Sequence, residues 1–121
     1  MAGKAGTLNL YVNQHATFEC YLTWKAGNGG QPLNVSGYQA LLQVRLSPEG
    51  NPIFEASTTN GMIEMGASNG RIVIRVPDEK TSDMKFREGD YDLIVRAPNG
   101  RVRRIVEGRI FVRPGISKFE G

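Results

Sequence analysis

Apolar and polar residues alternate with a period of two along most of this chain, which is the mark of strands with one buried face. Thr17 to Lys25 is the cleanest stretch. Phe18, Cys20, Leu22 and Trp24 fall on one side, and Glu19, Tyr21, Thr23 and Lys25 on the other. Leu8 to Val12 alternates before it, and Asn13-Gln14-His15-Ala16 turns the chain between the two. Tyr38 to Leu46 puts Ala40, Leu42, Val44 and Leu46 on one face; Arg71 to Val76 does the same for Ile72, Ile74 and Val76. Pro52 to Glu55 and Ile63 to Met65 read as short strands, the first at a sheet edge because proline donates no ladder hydrogen bond. Gly27 to Pro32, Ser47 to Asn51 and Gly66 to Gly70 are rich in turn residues and connect these runs. Pro77 to Met84, with acids at its start, is the one helix candidate, a turn or two long.

The last third adds Tyr91 to Arg96, then Pro98-Asn99-Gly100, then Val102 to Val112. Asn-Gly between β-rich runs predicts a hairpin, both residues tolerating the positive φ of a tight turn. Gly89-Asp90-Tyr91 at the start of a late strand resembles the tyrosine corner of Ig-like sandwiches. Turn signals recur roughly every 8 to 12 residues, which predicts an all-β, Ig-like antiparallel β-sandwich of about seven to nine strands. At most one short helix is expected, near residues 78–84. One core suffices for 121 residues. The expected layout is a flexible N-terminal arm over 1–7, the sandwich over 8–116 and a C-terminal tail over 117–121.

Composition narrows the function classes. The 15 glycines fit a turn-rich β protein. No apolar run approaches the ~18 residues of a membrane helix. Behind Lys4 there is no apolar core of a secretory signal, so synthesis in a cytoplasm is expected. Cys20 is alone, so it forms no intramolecular disulfide and reads as a small buried hydrophobe. His15, the single histidine, is expected to be exposed in its turn; without a second His or a Cys it makes no typical zinc site. No serine sits in a Gly-x-Ser-x-Gly elbow. Asp78, Glu79, Asp83, Glu88, Asp90 and Asp92 lack calcium-loop spacing and are interleaved with Lys80, Lys85 and Arg87, which reads as a solvated helix-and-turn surface. There is no phosphate loop. The expectation is a chain without catalytic residues, cofactor or metal.

Charge changes the picture more. The net value is only +3, yet Arg96 to Lys118 holds seven basic residues against one acid, Glu107. Alternation puts Arg101, Arg103 and Arg109 on one face of the last strand and Arg104 on the other, unless a bulge intervenes, for which Gly108 is the candidate. Together with Arg113 these arginines are the candidate partner-binding residues. They suit a patch for an acidic neighbouring subunit, edge arginines that discourage aggregation, or a phosphate-binding ribbon. The last ranks behind, since only Phe111 lies nearby for base stacking.

Ordered motifs then carry a resemblance. Gln14-His15-Ala16-Thr17-Phe18, Leu22-Thr23-Trp24-Lys25 and Pro32-Leu33-Asn34-Val35-Ser36-Gly37-Tyr38 come first. Val44-Arg45, Glu88-Gly89-Asp90-Tyr91-Asp92-Leu93 and Arg104 through Val112 follow. Together, over about residues 8–116, they resemble the N-terminal Ig-like domain of the phage baseplate upper protein family. His15 stands where that family usually has glycine, and Asn34-Val35-Ser36 replaces Asp-Leu-Thr. Baseplate relatives continue into coiled or receptor-binding regions, whereas this sequence stops at Gly121.

The resemblance implies a non-enzymatic virion structural protein, made in a bacterial cytoplasm. It would dock as repeated copies among portal, tail, baseplate or capsid subunits, with no membrane as partner and with nucleic acid ranked behind protein. The alternatives are a nucleic-acid-binding β-barrel and a carbohydrate-binding module. The module needs an exposed aromatic platform, which Trp24 supplies only if the faces of its strand are reversed.

Overall fold

The computed structural model describes residues 6–26 and 30–120. Nine strands are present among them: β1 (Gly6–Thr7), β2 (Leu10–Asn13), β3 (Phe18–Thr23), β4 (Gln39–Arg45), β5 (Pro52–Ser57), β6 (Ile63–Met65), β7 (Arg71–Val76), β8 (Glu88–Arg96) and β9 (Val102–Arg113). One short helix, α1, spans Asp78–Thr81 inside the predicted segment. Gly27, Asn28 and Gly29 of the predicted loop, residues 1–5 of the predicted arm and Gly121 lie outside the described residues.

The strands form an Ig-like sandwich. β3-β7-β6 make one sheet, and β9-β8-β4-β5 make the other, with β1 and β2 both alongside β9. This ordering matches strands B, E and D facing G, F and C, with an added edge strand at β5. The first strands pair parallel to β9 rather than joining β3, with Leu10 opposite Ile110 and Val12 opposite Val112. Gly6 and Thr7, expected in the free arm, already pair with Val106 and Glu107. Residues 117–120 carry no regular structure.

Alternation places the core as expected. Leu42, Val44, Leu93 and Val95 from the larger sheet meet Ile72, Ile74 and Val76 from the smaller. Each such side chain, taken fully out of water, contributes roughly 1.5–3 kcal/mol. Phe18, Cys20 and Leu22 do share the inward face of β3, and Trp24 just past its end packs against the same core, though that strand is only half-buried. Trp24 makes an edge contact with Tyr38 at 5.8 Å. Burial raises the Cys20 thiol pKa, which keeps it in the inert thiol form. Leu46 departs from the expectation and is 62% exposed. The pairing of β4 with β5 shifts register between Val44 and Arg45, and β4 ends at Arg45, so Leu46 leaves the alternation.

Two turns differ from their sequence reading. In the closing hairpin only Gly100 has positive φ, at 92°. The Gly100 amide donates to the Ala97 carbonyl and the Arg101 amide to Asn99 Oδ1, forming a three-residue loop. Pro98 fixes its own φ near −65°, which suits the first central position of a type I turn and leaves the left-handed position to Gly100.

The second case is His15. It is half-buried and has φ 70°, in the left-handed region that favours glycine. Ser82 Oγ donates its hydrogen to the Asp78 carbonyl, so His15 Nδ1–H donates to Ser82 Oγ, at 2.7 Å. Gln14 Nε2 donates to the carbonyls of Ser82 and Met84, and buried Thr81 Oγ1 to that of Ala16. These bonds clasp α1 to the turn between β2 and β3. Left-handed backbone costs a non-glycine residue about 1–2 kcal/mol. H15G should therefore be more stable than H15A by about 1 kcal/mol, since both lose the imidazole bond and only alanine keeps the strain. Equal urea midpoints for the two variants would refute this assignment of strain.

Candidate functional site

The register between β8 and β9 decides where the arginines go. Leu93 faces Val106 and Ile94 faces Arg104, so Ile105 is an extra residue and the bulge lies there rather than at Gly108. Beyond the bulge the faces exchange. Arg103 sits opposite inward-facing Val95, whereas Arg104 joins Glu107, Arg109, Phe111 and Arg113 on the outer face. The expected set of Arg101, Arg103 and Arg109 on one face is thereby split.

The outer face is a graded surface. In its middle, Arg109 bonds Glu88 and, at 2.8 Å, Asp90. Arg104 reaches Asp92 at 3.0 Å and Glu107 at 3.4 Å. The hydrogen bonds it donates, first to Glu88 and then to Asp90, hold the Arg109 guanidinium still more firmly in its charged form. Glu88, Asp90 and Asp92, read from sequence as part of a helix-and-turn surface, are the outer positions of strand β8. They pair with Arg104 and Arg109 across the ladder. These exposed pairs fix side-chain positions more than they stabilise the fold, because solvent screens them. They border a shallow open concavity of about 820 Å³, whose rim includes Gln43, Arg45, Asp92 and Arg109.

The two ends of this face differ from its middle. At the hairpin end, Leu41 and Ile94 are opposed outward-facing residues, and Val102 beside them is 50% exposed. With Ser57, Thr58 and Arg96 they line a recess of about 370 Å³. Arg101 and Arg103 flank this end, and neither makes an ion pair among the described residues. At the far end, Tyr11 stacks on Phe111 with centroids 5.3 Å apart, next to the pair Asn13 and Arg113. Arg113 likewise makes no ion pair among the described residues. Past it, Ile116 and Phe119 are 101% and 93% exposed. The outward position of Tyr11 was legible from Leu8 to Val12. Its stacking partner was not, because a parallel pairing of first and last strands leaves no local trace.

Behind the face, buried Tyr91 takes the tyrosine-corner position, but its hydroxyl donates to the Leu8 carbonyl, not to a nearby residue. It locks the joint between β1 and β2. Burial, and secondarily Cys20, pushes its phenol pKa up from 10.0. The unfolded phenol therefore ionises first. Stability tied to this proton is complete below about pH 10 and is lost as pH rises toward the raised value. The urea midpoint should fall further between pH 8 and pH 11 in the parent than in Y91F. An identical fall would show that Tyr91 does not carry the effect.

The described residues contain no group of His, Cys, Asp and Glu able to hold a metal ion. No protein-family model matches the chain, and no curated protein matches it. Solved structures do. The extracellular domain of the voltage-gated sodium channel beta4 subunit, described as parallel homodimers with a role in cell-cell adhesion, aligns with TM-score 0.47 and 12% identity, covering 96% of this chain and 98% of that one. The N-terminal domain of phage TP901-1 ORF48 aligns with TM-score 0.50 and 16% identity, covering 88% of this chain and 94% of that one. At that identity the likeness to the phage domain is one of fold, and the fold is the all-β Ig-like sandwich.

Proposed function

We propose that this chain is a non-enzymatic structural domain of a bacteriophage particle, docking as repeated copies in the neck, tail or baseplate or on the capsid. The observation that carries the reading is the division of the outer face. In its middle Arg104 and Arg109 are paired with carboxylates, while exposed apolar groups lie at both ends, with Arg113 at one and, beside the hairpin, Arg101 and the inward-side Arg103 next to the other. A surface that is satisfied in the middle and unsatisfied at both ends suits contacts between successive copies. Similarity in fold to the N-terminal domain of phage TP901-1 ORF48 supports the phage setting, as do the ordered motifs. Arg101 and Arg103 are the contacts offered to an acidic neighbour, Arg113 marks the other end, and Arg109 acts through its fixed ion pairs.

A nucleic-acid reading draws on one observation, the Tyr11–Phe111 stack beside Arg113. Stacking surfaces next to arginine hold single strands in a salt-dependent way. For the carbohydrate reading Trp24 offers no platform, since it keeps its inward face and packs on Tyr38.

Sedimentation velocity at low and physiological salt separates these readings. Repeated-copy docking predicts discrete self-association, weakened by R101E/R103E. A chain that stays monomeric while retaining single-stranded DNA at low salt would overturn it.

A further inference from the structure

An apolar recess lies at the hairpin end of the outer face, and an exposed apolar segment follows its other end. The recess beside the hairpin is apolar at Leu41, Ile94 and Val102, and its volume of about 370 Å³ lies within the ~300–1,000 Å³ range of ligand pockets. The ligand is the segment after β9, where Ile116 and Phe119 rest on nothing, at 101% and 93% exposure. Two large apolar side chains three residues apart give this segment apolar surface that a partner would remove from water.

The distances exclude the chain's own recess. From Val102 to Arg113, β9 runs about 36 Å at ~3.3 Å per residue. Phe119 lies six residues beyond Arg113, a reach of at most ~21 Å even when fully extended. The tail would have to turn back and still fall short. A second copy has no such limit.

Charge agrees with that partner. Lys118 and Glu120 flank Phe119, and the recess wall carries Glu55 and Arg96, so it offers one opposite charge to each. We infer that the Ile116–Phe119 segment of one copy docks in the Leu41–Ile94–Val102 recess of a second copy. This rests on the repeated-copy reading and specifies its contact. The contact is heterologous: each copy gives one tail and receives one. Assembly then closes as a reciprocal pair or a ring, or extends as a filament.

A complementation experiment on the whole chain tests this. I116E/F119E removes the ligand and leaves the recess intact. V102E, at an exposed position, spoils the recess and leaves the tail intact; circular dichroism checks that each variant is folded. Each variant alone should self-associate at least about tenfold more weakly than the parent, the usual effect of losing an interface hot spot. Mixed together, they should form a one-to-one pair and nothing larger. If I116E/F119E keeps the parent's mass, or the mixture fails to pair, the tail contact is wrong while repeated-copy docking stands. If the parent itself is monomeric at every concentration, both fail.

Discussion

Replacing Gly108 by alanine should lower stability by about 2–3 kcal/mol, and the melting temperature by ~8–15 °C for a chain of this size. Gly108 lies opposite Tyr91 in the β8–β9 ladder, on the inward side where a side chain would meet the incoming N-terminal segment. A methyl group there would sit 2.2 Å from the Leu8 carbonyl oxygen and 2.9 Å from its carbon. Both contacts are backbone, so no rotamer change relieves them. The same carbonyl accepts the Tyr91 hydroxyl, the Leu8 amide donates to Glu107, and Asn9 Oδ1 accepts from the Arg109 amide. Pushing Leu8 away breaks this group of bonds together and frees β1 from β9. The coupling provides a second check. Y91F alone should cost about 1 kcal/mol, but much less once G108A has displaced its acceptor, so the double variant should be less damaging than the sum. A melting temperature for G108A within a degree or two of the parent would sink this account.

Gly108 also shows what the sequence could not convey. A glycine inside a strand signals either a bulge or a close approach of another backbone. Pattern alone favoured the bulge; the register shows the close approach, with the bulge at Ile105 where no residue type announces it. Strand positions on β3, β4 and β7 were legible, because alternation there reports directly which side is buried. The hairpin was legible too, but its turn type depended on Pro98 ahead of Asn-Gly. Charge was the hardest property to read. Glu88, Asp90 and Asp92 recur every second residue, the same period as the strand, yet their partners Arg104 and Arg109 lie on another strand. Only antiparallel register brings them together and gives two arginines of the basic run their carboxylate partners. The apolar recess and the exposed segment after β9 are likewise tertiary facts, for Leu41, Ile94, Ile116 and Phe119 look like ordinary hydrophobic residues until the core is seen to exclude them.

The inward half of the sandwich should therefore bear mutation far worse than the outward half, and two adjacent residues on β8 make the comparison. Leu93 is fully buried and lies in register with Leu42 on one side and Val106 on the other, at the middle of the larger sheet. Leu93→Ala removes its methyl groups between sheets that cannot collapse onto the space, at a cost of about 3–4 kcal/mol. That is a large part of a total stability expected near ~5–15 kcal/mol. Asp92, one residue earlier, points outward to Arg104, in a pair whose side chains are 55% and 36% exposed. Asp92→Ala should cost less than about 1 kcal/mol, an effect that added salt further reduces. Urea unfolding of both variants would measure the contrast. Equal losses would mean that the outer ladder holds the fold together, and then the face proposed for docking would not be free to vary without unfolding the domain. A loss confined to Leu93→Ala leaves the outer face available for contacts between copies, because its side chains are set by the fold without being needed to maintain it.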